Sequence, residues 1–210
     1  MERIDRQIAF TKEIDKLKDV YRRSYLLSQS RMENSAEHSW HISVMAMFLS
    51  EYSNVEIDRL RVIEMLLIHD IVEVDAGDTY CYDENSTIGK EQREEKAANR
   101  LFHLLPGEQA DRLMRLRHEF EEAKTPESLF ANALDRFMPL IHNFSTMGRA
   151  WKENGITKGQ VLKRNKSIAD GSHALWEYAK HRINEASEKG WLKNDDDPNT
   201  QKRETDNDTA

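Results

Sequence analysis

Four side chains of the kinds that bind metal ions occur in three separate segments of the chain. His38 lies in SAEHSW, the adjacent pair His69 and Asp70 lies in LLIHDIVEVDAGD, and Asp135 lies in ALDRF. A divalent ion can gather mixed nitrogen and oxygen ligands of this kind while leaving coordination positions for water and substrate. Each residue alone is typical of a hydrogen-bonded core histidine, a helix cap or an ion pair. The set taken together predicts a metal site.

The adjacent pair constrains the backbone that carries it. Neighbouring residues on a helix point about 100° apart, so His69 and Asp70 can both reach one ion only near a helix end or at a local distortion. The preceding residues 62–68 are strongly apolar, and the polar segment that follows predicts an active-site loop at residues 74–87. We therefore expect a buried helix that delivers two polar side chains at its end.

The segments that position these side chains are predicted to be helices. Apolar residues recur mostly at three- and four-residue spacing, and only eight Gly and four Pro interrupt the chain. An all-α bundle of about seven helices is therefore expected. The predicted helices span residues 3–19, 36–53, 57–70, 87–105, 108–123, 126–150 and 158–189.

The second predicted helix has a clear start signal. Asn34 or Ser35 can cap its free amides, and Glu37 lies three residues after Asn34, as in a capping box. The apolar stripe of this helix then includes His38 in its first turn. We therefore expect His38 to point into the interior.

The composition bounds the kind of protein. A chain of 210 residues is long enough for one core and short for two, so we expect one domain at residues 1–192 and a disordered polar tail at 193–210. The net charge of −7 becomes −4 without the tail, which holds six acidic and three basic residues. Neither value indicates a nucleic-acid surface, which needs clustered positive charge. A small substrate is therefore favoured.

The sequence also indicates a cytoplasmic protein. No stretch approaches the roughly 18 apolar residues that span a bilayer, and the first residues lack the apolar segment of a signal peptide. The single Cys81 cannot form an internal disulfide or a zinc-thiolate site, which agrees with a reducing compartment. We therefore expect no membrane partner, and a metal held by histidines and carboxylates.

The order H…HD…D of these residues resembles the signature of the HD-domain superfamily of metal-dependent phosphohydrolases. More narrowly, SAEHS, HDIVEVDAGD and LDR are similar to the 5′-deoxynucleotidase branch, and the likeness covers about residues 15–150. The resemblance implies an HD-domain helical bundle that releases phosphate from (deoxy)nucleoside 5′-monophosphates with a metal-activated water. It also implies a homodimer, which apolar helical surface on a small domain would favour.

The resemblance assigns the metal ligands position by position. His38, His69, Asp70 and Asp135 match the residues that hold one divalent ion in the family. A ligand set without thiolate is compatible with several ions, including Mg²⁺, Fe²⁺, Ni²⁺, Cu²⁺ and Zn²⁺. Within the resemblance, Mn²⁺ or Co²⁺ is favoured.

The resemblance also assigns catalytic and substrate-binding roles. Glu73 matches a carboxylate that orients or deprotonates the attacking water. Asp78 matches an acid that contacts the substrate. Arg23 matches an arginine that orients the phosphate, a task suited to the two parallel hydrogen bonds of a guanidinium. The same binding loop continues through Thr79, Tyr80 and Cys81.

The chain departs from this branch at the residue after Arg23. The bacterial enzyme of the branch has Arg-Trp where this chain has Arg23-Ser24, so an aromatic wall beside the sugar or base is missing there. Arg22 also competes with Arg23 for the phosphate role. Other aromatic residues could replace the wall, although isolated aromatics are typical of simple packing: Tyr80 and Tyr82, or Tyr25. The departure bears on substrate choice rather than on phosphoester chemistry.

Three other functions remain open at this point. A guanosine-tetraphosphate hydrolase typically has Glu-Asp after HDxx, whereas Glu73 is followed by Val74 here. A di-iron HD oxygenase needs further histidine ligands, and no suitable pair occurs between His69 and Asp135. A non-catalytic metal- and nucleotide-binding regulatory module would not require the catalytic carboxylates and arginine. The other histidines lack the His-x-x-x-His spacing of a second metal site: His103, His118, His142, His173 and His181.

Overall fold

The structure, a computed structural model, describes residues 2–82 and 88–195, and these residues fold mainly into helices. The helices are α1 (Arg3–Ile14), α2 (Ser35–Leu49), α3 (Arg59–Ile68), α4 (Glu73–Ala76), α5 (Lys90–Phe102), α6 (Gly107–Glu122), α7 (Pro126–Ser145), α8 (Arg149–Asn154), α9 (Lys158–Asn165), α10 (Ile168–Gly171) and α11 (His173–Glu188). Short 3₁₀ turns cover Asp15–Asp19, Ser50–Tyr52 and His69–Val72, and two strands are β1 (Tyr21–Tyr25) and β2 (Met32–Asn34).

Helix α7 lies at the centre of the larger of two apolar cores. Its buried side chains include Phe130, Leu134 and Met138, and they pack with side chains of α2, α3, α10 and α11. A second core joins α1, α5 and α6 with the 3₁₀ turn at His69–Val72. Burial of apolar surface is the main term that favours such a bundle. The expected all-α fold class is confirmed.

One predicted helix is three helices in the structure. The prediction of a single helix over residues 158–189 was wrong, because Ser172 has an extended backbone with φ −156° and ψ 108°. Its Oγ accepts a hydrogen bond from the Leu175 amide at 3.1 Å and donates one to the Tyr52 carbonyl at 2.6 Å. Helices on both sides of the break face the same core, so the apolar periodicity continues through it.

The predicted helix over residues 126–150 also ends early. Helix α7 stops at Ser145, because the backbones of Met147 (φ 54°) and Gly148 (φ 68°) are left-handed. The chain turns there and starts α8 at Arg149, whose guanidinium lies 3.8 Å from the centre of the Tyr25 ring. The break therefore brings α8 against strand β1.

A short antiparallel hairpin precedes α2 and was not predicted. Strand β1 (YRRSY) pairs with β2 (MEN), with Tyr21 opposite Asn34 and Tyr25 opposite Met32. Such short strands of largely polar residues lack the apolar alternation that predicts a half-buried strand. The hairpin leads directly into the site, since Asn34 ends β2 and caps α2.

The described chain continues past the expected domain boundary at residue 192. Lys193 forms a parallel bridge with Thr157, and the Asp195 carboxylate accepts a hydrogen bond from the Gly159 amide at 2.9 Å. The rest of the expected tail (196–210) and part of the expected active-site loop (83–87) lie outside the described residues. Within the described ranges, none of the helices has the length and apolar character needed to cross a membrane, and the cytoplasmic location stays a prediction.

The packing of α10 on α7 gives a direct test of the fold. A Cβ added to Gly171 would lie 2.7 Å from the carbonyl carbon of Leu129 and 2.8 Å from the Cα of Phe130. Since this backbone cannot move aside easily, Gly171→Ala should lower the free energy of unfolding by about 1–3 kcal/mol, as overpacking does. Urea denaturation measures the change. A Cβ on Gly107 meets nothing within 4 Å, so Gly107→Ala is the matched control, and equal stability of both variants would contradict this packing.

Candidate active site

The adjacent pair His69 and Asp70 sits where a helix changes into a tighter turn. Helix α3 ends at Ile68, and the pair begins the 3₁₀ turn at His69–Val72, which is the local distortion that the sequence required. His69 Nδ1 hydrogen-bonds the Leu66 carbonyl at 2.9 Å, so Nε2 faces the site. There it lies 3.0 Å from Asp70 Oδ1.

His38 and Asp135 meet across the interface of α2 and α7. The predicted capping box is present, since Asn34 and Glu37 exchange backbone-to-side-chain hydrogen bonds of 2.9 and 3.2 Å. This cap fixes the first turn of α2, in which His38 is fully buried. His38 Nε2 lies 2.9 Å from Asp135 Oδ1, and His69 Nε2 lies 3.6 Å from the same oxygen.

These contacts create a cluster that fits a metal ion. His38, His69 and Asp135 each offer one ligand atom, and the three atoms lie within 4.8 Å of one another. Burial alone would raise the pKa of Asp135, but the hydrogen bond with His38 and the nearby ring of His69 hold that pKa well below its ordinary value. His69 Nε2 is buried and has no hydrogen-bond partner among the described residues. An ionised carboxylate beside an unpartnered imidazole nitrogen suits a divalent ion.

Asp70, the fourth expected ligand, lies at the edge of this cluster and binds Arg22. Arg22 Nη1 lies 2.7 Å from Asp70 Oδ2, and Nη2 lies 3.8 Å from Asp135 Oδ1. Burial opposes the charge of Arg22, but Asp70 and Asp135 raise the pKa of the guanidinium above its ordinary value. The arginine therefore supplies positive charge beside the candidate ligands.

Glu73, which is buried, and Asp78, which is partly buried, are acids beside the metal-ligand candidates. Glu73 begins α4, and its Oε2 accepts a hydrogen bond from Ser35 Oγ at 2.5 Å. Burial, and then the negative charge of Asp70, raise the pKa of Glu73 to about 8. Burial likewise raises the pKa of Asp78. Perturbed acids of this kind are typical of functional sites.

A single cavity of about 240 Å³ brings most of the predicted site residues together. The predicted residues that line it are Arg23, His69, Asp70, Glu73, Asp78, Thr79, Tyr80, Cys81 and Asp135. His38 lies behind this lining, fully buried. The metal-ligand candidates, the catalytic acids and the expected substrate loop therefore share one cavity.

The two neighbouring arginines of β1 are placed differently. Side chains alternate along a strand, so Arg22 points inward with its side chain 15% exposed, while Arg23 is exposed at the cavity rim. Ser24 is buried and also lines the cavity. The phosphate-orienting role of Arg23 stays a prediction, and Arg22 is the arginine that contacts the carboxylates.

Of the three tyrosines considered as replacements for the missing aromatic wall, two line the cavity and one does not. Tyr80 and Tyr82 line the cavity with their rings 5.6 Å apart, edge to face. Tyr25 instead donates a hydrogen bond to Glu153 at 2.9 Å and packs under Arg149, away from the cavity. The aromatic surface available to a substrate is therefore the pair Tyr80 and Tyr82.

Further positive residues line the cavity and were missed by sequence reasoning. Lys90, Arg136 and Arg164 reach it from α5, α7 and α9. Burial, and then the charge of Arg164, lower the pKa of Arg136, which shows how closely these cations are crowded. Arg136 could have been found from its place directly after Asp135, whereas the other two lie in segments that resemble solvated helix surfaces. The cavity thus combines a metal-ligand cluster with several side chains that can bind an anion, set among carboxylates.

Comparisons with known proteins agree with this geometry. The HD domain family matches residues 14–176. The 5′-deoxynucleotidase HDDC2 of Dictyostelium discoideum is 27% identical over 143 residues, which cover 65% of this chain and 75% of the relative. The human 5′-deoxynucleotidase HDDC2 is 29% identical over 133 residues, which cover 61% of this chain and 62% of the relative. The chain thus matches less than two thirds of the human relative.

Solved structures give the same fold. The crystal structure of a predicted metal-dependent phosphohydrolase from Magnetospirillum magnetotacticum MS-1 matches with a TM-score of 0.87 and 49% identity, covering 90% of this chain and 95% of that chain. An HD-domain phosphohydrolase from Listeria innocua matches with a TM-score of 0.56 and 18% identity, covering 83% of this chain and 82% of that chain. The second likeness supports the fold alone.

The raised pKa of Glu73 predicts how pH changes the stability of the metal-free protein. The carboxyl has an ordinary pKa of 4.5 and a folded value of about 8, so the folded state holds the proton more tightly between these values. The free energy of unfolding should therefore fall as pH rises from about 5 to about 8, by at most about 1.4 kcal/mol per pH unit for this group. Urea midpoints measured in chelator should show this fall.

The variant Glu73→Gln isolates the contribution of this carboxyl. It should flatten the fall between about pH 5 and 8, leaving the loss from His69, whose pKa is raised to about 9 because Asp70 and Asp135 outweigh its burial. Glu91→Gln, on the exposed surface of α5, is the control. Parallel pH curves for wild type and Glu73→Gln would contradict the assignment.

Proposed function

We propose that this chain, a member of the HD domain family of metal-dependent phosphohydrolases, releases phosphate from (deoxy)nucleoside 5′-monophosphates. The observation that carries the proposal is the single cavity in which a His/Asp cluster meets the acids Glu73 and Asp78 and several cations. A structural metal site would not require the acids or the cations. The names of the curated relatives support the nucleotide substrate.

The proposed metal ligands are His38, His69, Asp70 and Asp135. Three of them already form a cluster, and Asp70 lies 3.0 Å from His69 Nε2, so a small rotation of its carboxylate joins it to the others. We propose Mn²⁺ or Co²⁺ as the ion. When bound, such an ion lowers the pKa of a coordinated water and polarises the phosphoryl group.

The proton acceptor in this proposal is Glu73. Its Oε2 is held by the Ser35 hydroxyl, which fixes the carboxylate beside the metal-ligand cluster. A carboxyl with a pKa near neutrality can both take a proton from water and release it afterwards. Asp78, the second acid, also lines the cavity and is proposed to contact the sugar.

The phosphate is proposed to bind among the arginines. Arg22 lies nearest the cluster and can turn its guanidinium from Asp70 toward phosphate oxygens, where two parallel hydrogen bonds form. Arg23 is proposed to bind the same phosphate from the rim. Negative charge that develops during hydrolysis is then stabilised by fixed cations in a largely buried cavity.

The base is proposed to pack against Tyr80 and Tyr82 in place of the missing aromatic wall. Burial raises the pKa of Tyr80 to about 12, so its hydroxyl remains a hydrogen-bond donor at neutral pH. The two rings pack edge to face and both line the cavity, so they offer an aromatic surface there. Such a surface accepts several bases, so the proposal does not select one.

We further propose a homodimer that pairs through α2. Trp40, Val44, Met47 and Phe48 are exposed, and their spacing places them on one face of that helix. A contiguous apolar face of this kind is typical of an interface between copies. Light scattering on the purified protein measures the mass.

A phosphate-release screen tests the function. Purified protein is incubated with deoxy- and ribonucleoside 5′-monophosphates, with each of several divalent ions and with EDTA. Release should require a divalent ion. Asp70→Ala should lose both metal and activity, and Glu73→Gln should lose activity by about 100-fold or more while keeping the metal. Asp75→Asn is the control, because Asp75 binds Arg100 outside the cavity.

The outcomes of this screen separate the remaining functions. Full activity of Glu73→Gln would contradict the proposed mechanism. Nucleotide binding without turnover under any condition would favour a non-catalytic regulatory module. Release of pyrophosphate from guanosine tetraphosphate, with no action on monophosphates, would favour the other HD hydrolase considered above.

The two arginines can be separated by conservative substitution. Lysine keeps the charge but loses the paired hydrogen bonds, so Arg22→Lys should lower kcat by about 100-fold if it acts near the reacting phosphoryl group. Arg23→Lys should raise KM by about 10-fold with little change in kcat. Steady-state kinetics at saturating metal measure both values. A fall in kcat for Arg23→Lys, with only a rise in KM for Arg22→Lys, would instead place Arg23 beside the reacting phosphoryl group.

A further inference from the structure

We propose that Glu33, His41 and His142 form a second metal site, for a divalent transition-metal ion such as Zn²⁺. The three residues come from β2, α2 and the last turns of α7. None of them lines the active-site cavity, so the proposed site lies on the other side of His38 from the substrate. It is independent of the proposed function, because it concerns binding of an ion rather than turnover.

The geometry of the three side chains supports an ion between them. One ligand atom from each residue lies within 4.8 Å of the other two. The rings of His41 and His142 have centroids 5.5 Å apart and are tilted by 48°. Tetrahedral bonds of about 2.0–2.2 Å place ligand atoms about 3.4 Å apart. Closure by at most about 1.4 Å, within the range of small side-chain rotations, would therefore complete the site.

Unpartnered buried atoms are the second observation that points to a ligand. Glu33 is 1% exposed and His142 is 3% exposed. Within the described part of the chain, Glu33 Oε2 and both ring nitrogens of His142 lack hydrogen-bond partners. Burying polar atoms without partners costs free energy, and a buried carboxylate costs more unless a cation neutralises it. An ion bound here would satisfy both residues.

Orientation of His38 explains only part of this arrangement. Glu33 Oε2 lies 3.6 Å from His38 Nδ1, beyond hydrogen-bond distance, so the carboxylate acts on the imidazole through its charge alone. That role leaves Glu33 Oε2 and both nitrogens of His142 unsatisfied and gives no reason for His41 to face His142. The unpartnered Oε2 therefore remains available to bind an ion.

The chemistry of the three ligands selects the class of ion. Two imidazoles and one carboxylate, without thiolate, match the zinc sites in which three protein ligands leave a fourth position for water. Burial lowers the pKa of His142, so its imidazole is neutral at physiological pH and can offer a lone pair. His41 is partly exposed on α2, which gives the ion a path from solvent.

The stoichiometry of bound zinc tests the proposal. Chelator-treated full-length protein is equilibrated with Zn²⁺ alone, freed of excess ion, and analysed for zinc per chain by mass spectrometry. Wild type should hold two ions per chain. Asp135→Asn and His142→Gln should each hold one, and the double variant should hold none. His103→Gln is the control, because the imidazole of exposed His103 hydrogen-bonds the Asn99 carbonyl of its own helix turn.

A second readout guards against loss of folding in the buried His142 variant. His41→Gln alters a partly exposed ligand and should also reduce the zinc content to one, with an unchanged far-UV circular dichroism spectrum. In the Asp135→Asn background, Zn²⁺ should still raise Tm, and addition of His41→Gln should remove that rise. One zinc per wild-type chain that Asp135→Asn removes, or two zincs in both folded His41 and His142 variants, would overturn the proposal.

Discussion

The partly buried carboxylate of Asp135 is the constraint on which the arrangement depends. It lies in the middle of α7, the helix at the centre of the larger core, and an ionised acid there needs positive or hydrogen-bonding partners. His38, His69 and Arg22 supply them from α2, the 3₁₀ turn and β1. Three elements must therefore converge on one carboxylate, and the cavity forms where they meet.

Local chemistry explains why much of this site could be predicted from the sequence. The capping box of Asn34 and Glu37 acts within four residues. The start of α2 and the inward direction of His38 can therefore be predicted from the local sequence. The His69-Asp70 pair required a helix end, and the structure has one there. The all-α class likewise followed from the spacing of apolar residues, because the apolar side chains of the helices form the core.

The features that could not be predicted depend on contacts between segments distant in sequence, and such contacts leave no local sequence pattern. The hairpin that turns Arg22 inward is held by pairing between short polar strands. The break at Ser172 depends on a hydrogen bond to Tyr52, and apolar spacing continues through it. Glu33, His41 and His142 have no shared spacing in the chain, because the fold alone brings a strand, a helix start and a helix end together.

The ion pair between Arg22 and Asp70 has a consequence for how the protein matures. In small zinc domains the ion supplies the free energy of folding, so chain and metal must meet before a structure exists. Here a built-in cation already lies beside the acids. The charge of these acids is therefore offset by the chain itself, so folding does not need a metal ion for that purpose.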